Sequence, residues 1–227
     1  MSKESKSAKR KRALEICHRL NKLYGNLGSA LNYDSPYTLL ISVMLSAQTT
    51  DRSVNKVTPR LFSLWPGPIE LAGADEKELE DVIHPLGFYH TKARHAIECA
   101  QAIVGNWDGK VPDTMEGLTS LPGVGRKTAN IVLNKAFGKI EGIAVDTHVY
   151  RIATRLAFTT ASTPLAAEQD LLAIIPHELW GSVNETWIRH GRNICSSRAP
   201  KCEICPLGDL CPSKGHITDH FNKKHNR

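Results

Sequence analysis

The 227-residue sequence predicts an all-α protein. Three observations carry that reading. Apolar residues recur at spacings of three and four in segment after segment, while strand-like alternation is scarce. Most of these segments open on Ser, Thr or Asp and close on Gly or Pro. The chain is also long enough to bury a substantial core in one large or two small domains.

The first helix covers residues 9–24, with Ala13, Ile16, Cys17, Leu20 and Tyr24 on one face and Gly25 as its stop. Asp34 or Ser35 caps a second, which has Pro36 in its first turn and carries the apolar run Leu39 to Leu45. A polar stretch follows, and Thr50 or Asp51 caps a third helix through Leu64. Pro59 predicts a break or kink near Thr58. Asp75 with Glu78 starts a short helix holding Leu79, Val82 and Ile83, ended by Pro85. Leu86-Gly87-Phe88-Tyr89 reads as a loop. Residues 91–105 then form a helix with Ala93, Ala96, Ile97, Ala100, Ile103 and Val104 on its apolar face. Asp113 or Thr114 starts a short helix through Ser120. A tight turn next feeds a helix from Arg126 to Gly138. Asp146 heads a helix from Thr147 to Phe158, Thr163-Pro164 starts one over 164–175, and a last one runs from 183 to near Cys195.

The net charge of +6 sits at the ends of the chain. Residues 1–12 carry +5 and residues 213–227 carry +3, which leaves the body at −2. Basic ends suit attraction to phosphates, and they equally suit a solvated, disordered terminus. No apolar core of a signal peptide follows the basic N-terminus. The longest apolar-rich run, Tyr37 to Leu45, is too short to span a bilayer. A soluble, cytoplasmic protein with no membrane role is expected.

The stretch Leu121-Pro122-Gly123-Val124-Gly125-Arg126-Lys127-Thr128-Ala129 carries the first chemical signal. Pro122 stops the preceding helix, and Gly123 and Gly125 allow positive φ and expose bare backbone amides. Those amides, at the positive end of the following helix, make an anion site that a phosphate would fill. Lys127 lies in the first turn, where the dipole disfavours an ammonium and so prepares an amine nucleophile. Taken alone, a first-turn lysine is more often a solvated charge. Asp146 reads first as an N-cap. A carboxylate held there also stays ionised, ready to stabilise a developing cation.

Six cysteines divide unequally. Cys17 and Cys99 are packing residues or free thiols. Cys195, Cys202, Cys205 and Cys211 follow the spacing C-x6-C-x2-C-x5-C, four thiolates in 17 residues, which signals a metal centre in an intracellular protein. Zinc and an iron–sulfur cluster both take four thiolates; one short knuckle flanked by wider gaps favours the four-iron cluster modestly. Arg198 and Lys201, between the first two cysteines, are either phosphate contacts or ordinary solvated charges.

Together these three motifs, with Leu45-Ser46-Ala47-Gln48-Thr49-Thr50-Asp51, resemble the endonuclease III family of the helix-hairpin-helix DNA glycosylase superfamily, over residues 13–212. The resemblance implies two helical domains with the active site in the cleft between them. A six-helix domain would cover 29–139 and contain the hairpin. A discontinuous domain of 1–28 and 140–227 would hold one [4Fe-4S] cluster on the four cysteines. By the same resemblance, Lys127 attacks C1′ of the damaged nucleoside and Asp146 assists base departure and lysine attack. A Schiff base then permits β-elimination of the 3′ phosphate. Gly123, Val124, Gly125 and Arg126 form the phosphate-binding turn, Gln48 fills the gap left by the flipped base, and Phe88 supplies the wedge where the family has leucine. The implied partner is double-stranded DNA carrying oxidised pyrimidines or abasic sites, bound by a monomer at the nucleoid. Two rivals make distinct demands. An adenine-mismatch glycosylase has a catalytic Glu in the segment matching 44–51 and lacks the lysine; here that segment has no Glu and Lys127 is present. A non-catalytic DNA-binding module would bind without cutting.

Overall fold

The computed structural model describes residues 4–25 and 30–215. Apart from residues 213–215, the basic segment at 213–227 lies outside the described residues. Among those described, the chain forms α1 (Lys6–Tyr24), α2 (Pro36–Leu45), α3 (Asp51–Leu64), α4 (Pro68–Ala72), α5 (Glu76–Ile83), α6 (Tyr89–Asn106), α7 (Met115–Thr119), α8 (Arg126–Phe137), α9 (Thr147–Arg155), α10 (Pro164–Leu172) and α11 (Trp180–Asn193), and no strand. Two compact units result: Ser29–Glu141, and Met1–Gly28 with Gly142–Arg227. The architecture is a two-domain all-α fold.

In the first of these, α2 is the central rod. Every residue from Tyr37 to Leu45 is buried, as a helix that is apolar all round requires. Ser35 caps it and Thr38 answers in a capping box, so the entry to the core is fixed by two side chains. α4 and α5 pack on α6, and α8 packs on α2. Pro59 lies inside α3, which continues to Leu64, so the expected break near Thr58 does not occur. Val54, Val57, Thr58 and Leu61 form one buried stripe, and burying it offsets the single backbone bond that proline cannot donate. α6 begins two residues earlier than its apolar pattern suggests. Val104, assigned to its buried face, is exposed, and Cys99 is buried there instead. The five-residue α4 was not foreseen, although Pro68 and Gly73 are its start and stop.

The second unit builds its core around Trp187 of α11, fully buried beside Phe158 and the α1 residues Ala13, Ile16, Cys17 and Leu20. Here the basic N-terminal stretch is helical from Lys6 onward, with Lys6, Arg10 and Lys11 still exposed. Ser5 caps α1. Arg12 lies 4.5 Å over the Phe158 ring, donates to the carbonyls of Leu156 and Leu210, and pairs with Glu4 at 2.8 Å. α9 stops at Arg155 rather than Phe158, because Ala157 turns to φ 53°. α10 stops at Leu172, and α11 starts at Trp180 behind a 3-10 turn over His177–Leu179.

Candidate functional site

The glycine turn ahead of α8 is closed by a 3.1 Å bond from Val124 N to Leu121 O, with both side chains buried beneath it. Gly123 has φ 75°, and a Cβ there would lie 3.0 Å from both His95 Cβ and Met44 Cε. The conformation favours glycine, and the space leaves a Cβ tight. Gly125 does not share that conformation. Its φ is −90°, so the positive φ that glycine allows is not used at this position. It serves instead as the N-cap of α8, without a side-chain cap bond and with open space where a Cβ would stand. The first-turn amides of α8 are therefore bare toward that side, as anion binding requires. Arg126 is half-buried at the first helical position. Lys127, at the second, is exposed and makes no hydrogen bond or ion pair among the described residues.

Gln48 and Phe88 adopt the left-handed conformation, at φ 53° and 59°, and both are exposed. For a residue with a Cβ that backbone costs roughly 1–2 kcal/mol. They line one pocket of about 250 Å³, together with Met44, Ala47, Thr91, Lys92, His95 and Gly123. Lys92 is 8% exposed and donates from Nζ to Thr49 Oγ1 at 2.6 Å. Burial lowers its pKa from the ordinary lysine value.

Asp146 caps α9. Its Oδ1 accepts from His148 N at 2.9 Å and from Val149 N at 2.8 Å. Both cap bonds fall on one oxygen, so capping leaves Oδ2 available. Structural and chemical roles are thus compatible at this carboxylate. The run leading to it is held where Asn184 Nδ2 donates to Ala144 O at 2.8 Å. Lys127 belongs to one unit and Asp146 to the other.

The four clustered cysteines form no disulfide, and each is half-buried. Burial raises the pKa of Cys205 and Cys211, and the charges of the neighbouring cysteines add to it. Among the described residues, no three His, Cys, Asp or Glu side chains gather closely enough to hold a single metal ion. Four soft thiols within electrostatic reach of one another are a donor set that fits an iron–sulfur cluster. Arg155 donates to Cys195 Sγ at 3.2 Å, and His190 Nε2 lies 3.7 Å from Cys205 Sγ. Arg198 and Lys201 are exposed on the segment between the first two cysteines.

Sequence reasoning missed Lys92 and the two buried arginines of α9. A signal existed for each. Lys92 is in step with Ala96, Cys99 and Ile103 on the buried stripe of α6, and Arg151 and Arg155 stand one turn apart. A charge in step with a buried face calls for a partner.

Residues 41–177 match the family model of the HhH-GPD superfamily of base excision DNA repair proteins, and residues 195–211 match the iron–sulfur binding domain of endonuclease III. Endonuclease III of Synechocystis sp. is 46% identical over 207 residues, covering 91% of this chain and 94% of the relative. Endonuclease III of Buchnera aphidicola is 42% identical over 211 residues, covering 93% and 98%. Among solved structures, a trapped endonuclease III–DNA covalent intermediate superposes with a TM-score of 0.85 at 38% identity, covering 93% of this chain and 98% of that one.

Proposed function

Because this chain belongs to the endonuclease III family of HhH-GPD base excision repair proteins, we propose that it excises oxidised pyrimidines from DNA through Lys127 and Asp146. The family makes it a DNA N-glycosylase with AP lyase activity and a [4Fe-4S] cluster. The relatives favour neither the adenine-mismatch glycosylase nor the non-catalytic module.

In this reading the neutral amine of Lys127 adds to C1′ of the damaged nucleoside. The glycosidic C–N bond breaks, its electron pair leaves with the base, and the base takes up a proton. Asp146, at the head of α9, stabilises the positive charge that develops on the sugar. Opening of the ring yields a Schiff base between C1′ and Lys127 Nζ. Loss of a C2′ proton then expels the 3′ phosphate, and water releases the lysine. Chemistry at C1′ requires the nucleotide to leave the stack. Gln48 fills the gap, Phe88 wedges the opposite strand, and Gly123, Val124, Gly125 and Arg126 grip the backbone. Cys195, Cys202, Cys205 and Cys211 would hold the cluster, which when bound crosslinks the 195–211 segment and lets Arg198 and Lys201 face phosphates. The enzyme acts as a monomer on duplex DNA.

One observation carries the reading: Lys127 stands without a partner in the first turn of α8, directly behind an open glycine turn. Borohydride reduction in the presence of abasic-site DNA tests it. Wild type should form a covalent complex, and Lys127→Ala should form none while still binding DNA. Undiminished trapping by Lys127→Ala would remove this lysine from its role. Binding without trapping by wild type would leave a DNA-binding module.

A further inference from the structure

Two exposed residues held at positive φ on one pocket need something to hold them. Lys92 is bonded to both segments. Its backbone N–H donates to Phe88 O at 3.0 Å, the first helical bond of α6. Its Nζ donates to Thr49 Oγ1, and Thr49 Oγ1 in turn donates to Ala47 O at 3.3 Å. The residues on either side of Gln48 are therefore tied together and tied to Lys92.

The arrangement is an expensive way to build a wall. Lys92 as a residue is 8% exposed and its Nζ is part-buried, and among the described residues its bonding partner is one hydroxyl and no carboxylate. An apolar side chain of the same length would fill the space at lower cost. What the amine adds is a directed bond to the Gln48 turn from the helix that Phe88 begins.

We propose that Lys92 is a positioning residue that presets Gln48 and Phe88 as a pair for entry into the duplex. It governs extraction of a paired damaged base rather than the chemistry at C1′. The inference rests on the insertion roles given above to Gln48 and Phe88.

The test compares two substrates under single turnover: a duplex with one thymine glycol opposite adenine, and an abasic site in an unpaired bubble. A 2-aminopurine beside the lesion reports unstacking in the duplex. Lys92→Met should slow excision from the duplex about tenfold or more, weaken the fluorescence rise, and leave bubble cleavage within about threefold of wild type. Lys92→Arg, which keeps a donor, should recover part of the loss. Equal loss on both substrates would reduce Lys92 to a structural residue, and no loss on either would end the idea. Should Lys92→Met melt early, Thr49→Val decides, since it removes the same bond from a half-buried side chain. Gln48→Ala separates the two layers of the argument. If it shows the duplex-specific loss while Lys92→Met and Thr49→Val do not, the proposal alone falls. If Gln48→Ala shows no such loss, the insertion role falls and the proposal with it.

Discussion

Arg155 donates from Nη1 to the Sγ of Cys195 at 3.2 Å, reaching from the last residue of α9 to the first cysteine of the cluster segment. The same guanidinium donates to Ser196 O at 2.6 Å and Ser197 O at 2.8 Å. One turn earlier, Arg151 donates to Cys195 O from Nε at 3.1 Å and from Nη2 at 3.0 Å. Both arginines are 7% exposed, and their hydrogen-bond acceptors include no carboxylate. Two desolvated cations against one short segment favour negative charge there, and the thiolates of a cluster held by Cys195, Cys202, Cys205 and Cys211 would supply it.

Arg155→Met should therefore loosen the iron–sulfur cluster. The expected result is faster loss of the visible absorbance under a chelator, and less iron per chain on purification. Arg155→Lys should not rescue it, because one ammonium cannot span the spread of acceptors that the planar fork reaches. Iron retention equal to wild type in both variants would contradict this account.

The division of labour within Asp146 gives a sharper comparison. Asp146→Asn keeps an oxygen for the His148 and Val149 amides and discards the charge. Its stability should stay within about 0.5 kcal/mol of wild type, while excision falls on the order of a hundredfold. Asp146→Ala should lose activity similarly and about 1 kcal/mol of stability besides. Chemical denaturation and single-turnover excision measure the two effects. An active Asp146→Asn would leave this carboxylate as a cap only.

How far the sequence could be read follows from which signals are local. Ser35, Thr50, Asp75, Thr114, Asp146 and Thr163 all announce helix starts through their own side chains, and each caps a helix. Helix ends were less legible. α9 and α10 stop three residues early, α9 where Ala157 turns to φ 53°, and Pro59 fails to stop α3, whose buried stripe runs on to Leu61. Gly123 and Gly125 look alike as letters, yet only the first has a positive φ. The Lys92 bond joins residues 43 apart and the Arg155 bond residues 40 apart. No window along the chain holds both partners.

Alkaline conditions should expose the cost of the buried thiols. Burial pushes the pKa of Cys99 up to about 12, and of Cys17 likewise to about 12. A group raised in the folded state keeps its full stabilisation below its unfolded pKa and loses it as pH rises toward the folded value. For a thiol that window opens near pH 9. At pH 10.5 Cys99 should therefore cost about 2 kcal/mol of stability relative to pH 8. Tyr37, also raised by burial, adds a loss of the same sign at higher pH. Cys99→Ala removes the thiol, so its stability curve between pH 8 and 10.5 should be flatter than that of wild type. Parallel curves from denaturant unfolding would show that Cys99 does not titrate as its burial requires.

The two glycines of the turn should separate folding from binding. Gly123→Ala forces a Cβ onto a left-handed backbone and to 3.0 Å from His95 Cβ and Met44 Cε. The conformation alone costs roughly 1–2 kcal/mol, and the contact adds to it. Both stability and DNA affinity should fall. Gly125→Ala meets no such obstacle, since its φ of −90° suits any residue and nothing lies within 4 Å of the new Cβ. Alanine is the poorer N-cap, but it lowers the entropy of the unfolded chain, and the two effects, each about 0.5–1 kcal/mol, nearly cancel. What the methyl changes is access, because it stands beside the bare amides at the start of α8. Gly125→Ala should melt near the wild-type temperature and bind abasic-site duplex about tenfold more weakly at fixed salt. Unchanged affinity would mean that the phosphate is not held at this turn, however well the turn is shaped for it.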